Sequence, residues 1–242
     1  MTLIVDEVML REPNLLIPGK KPVGNVKIDW SHSLAPKELC VIFRNVAHEL
    51  VHNTILTEGT ALNLITPEVR NGNEMQRFSG AETLSWYHLP HPVNYHVGGD
   101  KWSLTFHALR DPSATENDSL LMGVANTNSQ YIWLRSTGIR QKDTGNRDLT
   151  FTTNWTELSW ITLVYNDGID GVACYVDGVF KDAYTLSADA STIKIEDIGC
   201  GFNTLTYSFD GSIGAIYAHD FPLSANNIKS LHADPYQFLI PA

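Results

Sequence analysis

Between Trp102 and Ala108 the sequence alternates without a break. Trp102, Leu104, Phe106 and Ala108 occupy one parity, and Ser103, Thr105 and His107 the other. Side chains two apart share a face only in an extended chain, so this stretch reads as a strand and not a helix. A second segment repeats the sign: Ile161, Leu163 and Tyr165 alternate with Trp160, Thr162 and Val164, giving two differently packed faces. A β-sheet protein is implied.

Turn chemistry divides the rest into short strands. Asn166-Asp167-Gly168 and Asp177-Gly178 each follow a strand-like run, and Asp-Gly supplies the positive φ that a tight hairpin turn needs. Val172–Tyr184 therefore reads as a hairpin. Leu120–Ala125, Gln130–Arg135, Gly138–Lys142 and Leu149–Thr152 continue at short intervals, separated by Asn, Asp, Ser, Thr and Gly. That spacing belongs to an antiparallel sandwich or jelly roll. One short helix is predicted near the C-terminus, with Ser224 as its N-cap, Ile228 and Leu231 on its apolar side, and Asp234-Pro235 as its stop.

All-β sandwiches reach 242 residues with one core, so one domain is expected over residues 28–242, preceded by an arm over residues 1–27. Leu3, Ile4, Val5, Val8, Leu10, Leu15, Leu16 and Ile17 of that arm are interrupted by Pro13, Pro18 and Pro22, too broken a run for a core of its own. They require burial against the sandwich, a sister subunit or another protein, and the expectation is an intermolecular contact. With 17 Lys and Arg against 27 Asp and Glu, nucleic acid is not an expected partner. No stretch approaches 18 apolar residues, so no membrane insertion is expected. The first residues lack the basic start and long apolar run of a signal peptide, and synthesis in a cytoplasm without secretion is the expectation. Cys40, Cys174 and Cys200 have no metal or redox spacing and read as buried thiols, with a Cys174–Cys200 pair left open.

Several motifs occur in an informative order. Trp160-Ile161-Thr162-Leu163-Val164-Tyr165 is followed by Tyr175-Val176-Asp177-Gly178, then Ile198-Gly199, Phe209-Asp210-Gly211-Ser212-Ile213-Gly214 and Leu223-Ser224-Ala225. This resembles the C-terminal half of laminin-G-like domains, which are concanavalin-A-like β-sandwiches. The opening, Asn14 to Gly24 and Ile28-Asp29-Trp30-Ser31-His32-Ser33-Leu34-Ala35, with Phe78-Ser79-Gly80 further on, resembles laminin-G-like proteins encoded in tailed-bacteriophage genomes. The resemblance implies an all-β jelly roll of two antiparallel sheets and a non-enzymatic virion role, as a capsid decoration or tail-associated protein. Its implied partners are the major capsid protein or other virion proteins and further copies of the chain, a trimer among the states it admits. Relatives of that fold also bind sugars or calcium at the sandwich rim. A glycan-binding adhesin is accordingly the alternative, with calcium and a cell-surface glycan as the ligands to test.

One motif argues for different chemistry. His48-Glu49-Leu50-Val51-His52 is an H-E-x-x-H, in which two imidazoles one helical turn apart hold zinc while the Glu acts as base on bound water. Ile42, Phe43, Val46, Ala47, Leu50, Val51 and Ile55 fall at helical spacing around it, and Glu74 stands at a plausible distance for a third ligand. Against zinc, no Gly and third His follow the motif, and Asn71-Gly72-Asn73 before Glu74 reads as a turn. The expectation is a chance match on a surface turn or short helix, with His48, His52 and Glu74 as the alternative zinc ligands and Glu49 as base.

Other constellations are weaker. Glu116-Asn117-Asp118 is an incomplete version of the alternating carboxylates of retaining glycosidases, and adjacent Glu196 and Asp197 must face opposite ways on a strand. Asp167, Asp170, Asp210 and Asp220 sit near turns and are candidates for calcium or for turn formation. Tyr131 and Trp133 share one strand face and offer a stacking platform for a sugar or a core contact. His88, His91 and His96, around Pro90 and Pro92, read as solvated loop histidines before a metal cluster.

Overall fold

The computed structural model describes residues 21, 24–59, 65–79, 86–96, 101–114, 120–124, 130–135, 137–142, 146–166, 171–185, 192–200 and 209–242. Along the first half run β1 (Val26–Ile28), β2 (Leu39–Phe43), β3 (Ala47–Glu49), β4 (Thr54–Ile55), β5 (Thr57–Glu58), β6 (Ile65–Arg70), β7 (Asn73–Phe78), β8 (Tyr87–His96), β9 (Trp102–Arg110) and β10 (Leu120–Gly123). The second half adds β11 (Tyr131–Arg135), β12 (Gly138–Lys142), β13 (Asn146–Thr150), β14 (Ser159–Asn166), β15 (Gly171–Val176), β16 (Val179–Thr185), β17 (Thr192–Ile198), β18 (Gly211–His219), α1 (Ala225–Ala233) and β19 (Leu239–Pro241).

Two antiparallel sheets form a jelly-roll β-sandwich. The first has the order β16-β15-β14-β9-β18-β2-β3-β4, with β7 also on β18 and β6 on β7; the second runs β13-β12-β11-β10-β17-β8-β5. The two alternating strands read from sequence are neighbours, Ile161 opposite Phe106, Leu163 opposite Leu104 and Tyr165 opposite Trp102. Trp102, Leu104 and Phe106 are completely buried in the core between the sheets. The Trp102 and Tyr165 rings stack there with centroids 3.4 Å apart. Each such large side chain contributes about 1.5–3 kcal/mol by leaving water.

The opposite parity of β9 is buried too, which the alternation did not suggest. Helix α1, β1, β19 and the segments around Leu34 and Phe238 lie over the first sheet as a third layer with its own apolar cluster. The polar side chains beneath find partners. Ser103 Oγ accepts from the Leu223 amide at 2.7 Å, Thr105 and Thr162 share a hydroxyl hydrogen bond at 3.0 Å, and the His107 ring stacks on Trp160 with centroids 4.2 Å apart. Ser103 and Thr105 are thus buried with hydrogen-bond partners, whereas His107 is held by stacking and its Nδ1 has no hydrogen-bond partner among the described residues. Helix α1 starts where expected, Ser224 accepting from the Asn227 amide, with Ile228 and Leu231 buried. The Val172–Tyr184 hairpin also forms, its turn holding Asp177 at φ 50° and Gly178 at φ 76°.

One expectation is corrected and one open question is closed. The boundary between residues 27 and 28 falls inside β1, whose Val26, Lys27 and Ile28 pair with Pro241, Ile240 and Leu239 of β19. Lys21 is buried within the sandwich as well. The remaining arm residues, 1–20 and 22–23, lie outside the described residues. Cys174 and Cys200 are not on neighbouring strands: Cys174 belongs to β15 in the first sheet, and Cys200 follows β17 in the second. All three thiols are free and buried, and burial raises their pKa values.

Candidate functional site

The H-E-x-x-H segment folds as strand and turn. Its apolar neighbours alternate across β2 and β3, so Phe43 enters the inter-sheet core while Ile42 joins the outer layer, and no helix forms. Glu49, only 2% exposed, organises the turn. Its carboxylate accepts from the amides of Cys40 at 3.3 Å, Val51 at 2.8 Å and His52 at 2.8 Å, and from His52 Nδ1 at 2.9 Å. Asn53 closes the turn at φ 53°, a conformation its short polar side chain tolerates. The expectation of a surface match is thereby corrected at Glu49, a buried acceptor.

Without a helix the two imidazoles lose the spacing that zinc requires. His48 Nε2 donates to Asn53 Oδ1 at 3.1 Å, and the His52 ring stacks on His91 of β8 with centroids 4.0 Å apart. Glu74 lies on β7, half exposed, its carboxylate 3.9 Å from Arg44 Nε. Among the described residues no group of three or more His, Cys, Asp or Glu side chains is arranged to hold a metal ion.

What the hairpin does build is a groove of about 340 Å³ between β1 and the β2–β3 turn. Val26, Ile42 and Leu50 supply apolar wall, and Arg44, His48 and Asn53 supply polar groups. Val46 stands at the lip, 49% exposed. Arg44 is positioned from both sides, Nη1 donating to the Gly24 carbonyl at 2.6 Å and Nε facing Glu74. Burial lowers the Arg44 pKa, and the Glu74 carboxylate opposes that shift. The site therefore offers a fixed cation, an imidazole and an amide beside apolar carbon, at the lower end of the volumes typical of ligand pockets. Sequence singled out His48 but for other chemistry. Arg44 and Asn53 carried no signal, and Leu50 only that of a helix face, because the groove exists only where β1 and the C-terminal strand pass the hairpin.

The other candidates are placed as follows. Asp210 is held by Arg77 at 2.5 Å, as is Asp111 at 3.0 Å, which joins the two carboxylates in one ion-pair node. Asp220 faces Lys37 at 3.7 Å, and Asp167 and Asp170 lie outside the described residues. Glu116, Asn117 and Asp118 also lie outside them. Glu196 and Asp197 do face opposite ways: Glu196 pairs with Lys194 at 2.8 Å, while buried Asp197 bonds His88 Nδ1 at 3.0 Å. His88 and His91 sit on β8, and nothing is described of the His96 side chain. Tyr131 and Trp133 do share a face of β11, edge to face with centroids 5.8 Å apart.

No protein-family model matches the sequence, and no curated protein matches it. Solved structures do match the fold. Domain 4 of AbnA, a GH43 extracellular arabinanase from Geobacillus stearothermophilus in complex with arabinotriose, superposes with a TM-score of 0.58 at 13% identity, covering 86% of this chain and 100% of that domain. The botulinum neurotoxin serotype D binding domain gives 0.58 at 14% identity over 81% of this chain and 51% of that one. Trypanosoma rangeli sialidase in complex with the inhibitor DANA gives 0.54 at 12% identity, over 83% and 33% respectively. The chain thus spans about half of the toxin domain and a third of the sialidase. These similarities establish a shared β-sandwich fold.

Proposed function

We propose that the protein is a non-enzymatic, glycan-binding β-sandwich and that the groove beside β1 receives a saccharide unit. The observation that carries this reading is the pairing of Arg44, His48 and Asn53 with the apolar wall of Val26, Ile42 and Leu50 in one concave site. A sugar ring presents hydroxyls at its rim and carbon–hydrogen faces above and below, and this lining offers partners to both. The superposed structures, one of them a domain crystallised with arabinotriose and another a toxin binding domain, support a binding role for such a sandwich. A glycan array followed by titration of the hits tests it. Val46→Glu, which puts a charge at the open lip, and His48→Ala should each weaken binding at least tenfold while leaving the melting temperature within a few degrees. Undiminished binding by both variants would exclude the groove.

A second reading concerns location, and it rests on the resemblance of Asn14–Gly24, Ile28–Ala35 and Phe78–Gly80 to laminin-G-like proteins of tailed phages. Under it the sandwich is displayed on a virion, attached to the major capsid protein or to other virion proteins, as a homo-oligomer. Immunogold labelling of purified particles from a producing strain tests it, and labelling confined to the cell lysate would reject it.

A further inference from the structure

On the outer face of the second sheet, Trp133, Arg140 and Asp148 stand directly opposite one another on β11, β12 and β13. The guanidinium carbons of Arg135 and Arg140 each lie 5.9 Å from the Trp133 ring centroid, a cation–π distance. Tyr131 meets the same ring edge on from further along the strand. Asp148 grips Arg140 through two bonds, from Nε at 2.6 Å and Nη2 at 2.8 Å, and stands 3.6 Å from Arg135 Nη1. Arg140, first among the causes, and then Arg135 hold the Asp148 carboxyl below the usual carboxylate range. Residues 131–150 carry four basic and two acidic residues, in a chain whose formal charge is −10.

We propose that this face is a second glycan subsite selective for a sugar that bears a carboxylate, a proposal that rests on the glycan-binding reading above. Arg140 already presents one guanidinium edge to a carboxylate in the two-bond geometry that such pairs favour. The carboxylate now there belongs to Asp148, whose side chain is 41% exposed on an edge strand, so a ligand carboxylate can reach the same guanidinium edge from solvent. A ligand carboxylate takes the place of Asp148 on Arg140 while its ring stacks on Trp133. Asp148 turns to solvent. Sheet register brings these groups together; no local motif contains them.

Trigalacturonate and its neutral methyl ester are the probes, followed by calorimetry and by the Trp133 indole N–H resonance. Trigalacturonate should bind with an affinity that falls as salt rises and should shift the indole signal; the ester should bind at least tenfold more weakly. Arg140→Met and Trp133→Leu should each lose at least tenfold. Asp148→Asn, which removes the internal competitor, should strengthen binding severalfold, whereas a purely structural role for Asp148 would weaken it. Equal binding of acid and ester, or weaker binding by Asp148→Asn, would overturn the proposal. If neutral sugars bind the groove and trigalacturonate leaves the Trp133 resonance unmoved, this subsite is rejected and the groove stands. If no saccharide of either charge binds, both readings fall.

Discussion

The ammonium of Lys21 lies 2.8 Å from the carbonyl oxygen of Gly214, at the point where β18 leaves β7 and takes up β2. β18 pairs with β7 through Ile213 and with β2 from Ala215 onward, so the sheet forks at Gly214. The carbonyls of Phe43 and Glu74 flank the fork, and Lys21 donates to both, to Glu74 at 2.7 Å. Three ammonium protons thus meet three main-chain carbonyls at the break in the ladder. Burial lowers the Lys21 pKa, and these carbonyls are what make the buried charge tolerable.

Lys21→Met keeps the aliphatic stem and removes all three bonds. Orphaned buried acceptors cost about 1–3 kcal/mol each, so a loss on the order of 3 kcal/mol is expected in urea unfolding. A chain beginning near Lys27 should lose at least as much. An unchanged urea midpoint in both would show that the fork is satisfied without Lys21.

Acidification should destabilise the protein through two histidines. Burial lowers His107 to about 3, Lys21 and His232 adding to the effect, and lowers His219 to about 4, against the pull of the Leu34 carbonyl 3.1 Å from its Nε2. Both folded values lie below the usual histidine value of about 6.5. The unfolded chain therefore binds more protons, and stability that is complete above pH 6.5 declines as pH falls toward 4. Between pH 6.5 and 5 the loss should approach about 1.4 kcal/mol per pH unit for each histidine. His107→Phe, which retains a ring on Trp160, should reduce that slope by one proton; an unchanged slope would mean that His107 titrates normally.

Gly178→Val tests the β15–β16 turn. Gly178 sits at φ 76°, which a β-branched residue resists, while an added Cβ would meet the His232 side chain on α1 only at ordinary contact distance, so the strain is in the backbone. The turn is also tied to β14, where Asp177 accepts from the Trp160 amide at 2.9 Å. Destabilisation of about 1 kcal/mol or more is expected by thermal melting, and an unaltered melting temperature would refute this strain argument.

Glu49→Gln distinguishes a turn organiser from a zinc base. An amide cannot accept at both of its ends, so the bonds from Val51 and His52 cannot all survive. A loss of about 1–3 kcal/mol is expected, with zinc content by metal analysis substoichiometric in both proteins. Stoichiometric zinc in the parent would contradict the strand-and-turn account of His48 and His52.

Much of the fold was legible because its signals are local. Alternation from Trp102 to Ala108 reports which residues share a strand face, Asp177-Gly178 marks a turn through backbone sterics, and Ser224 caps a helix three residues from its partner. The helical spacing around His48 misled for the same reason. A short apolar run satisfies both periods, and the β2 pairing with β18 decided in favour of the strand.

The sequence by itself determined the secondary structure class, the hairpin turn and the capped helix, since each depends on residues a few positions apart. Tertiary structure decided the rest. Lys21 reaches Gly214 across 193 positions, His52 meets His91 across the two sheets, and Arg44 meets Gly24, two residues before β1, where β1 is held by its pairing with the C-terminal strand. A site is a juxtaposition in space, and sheet order and register, which set that juxtaposition, depend on the packing of the whole chain and not on any one segment of it.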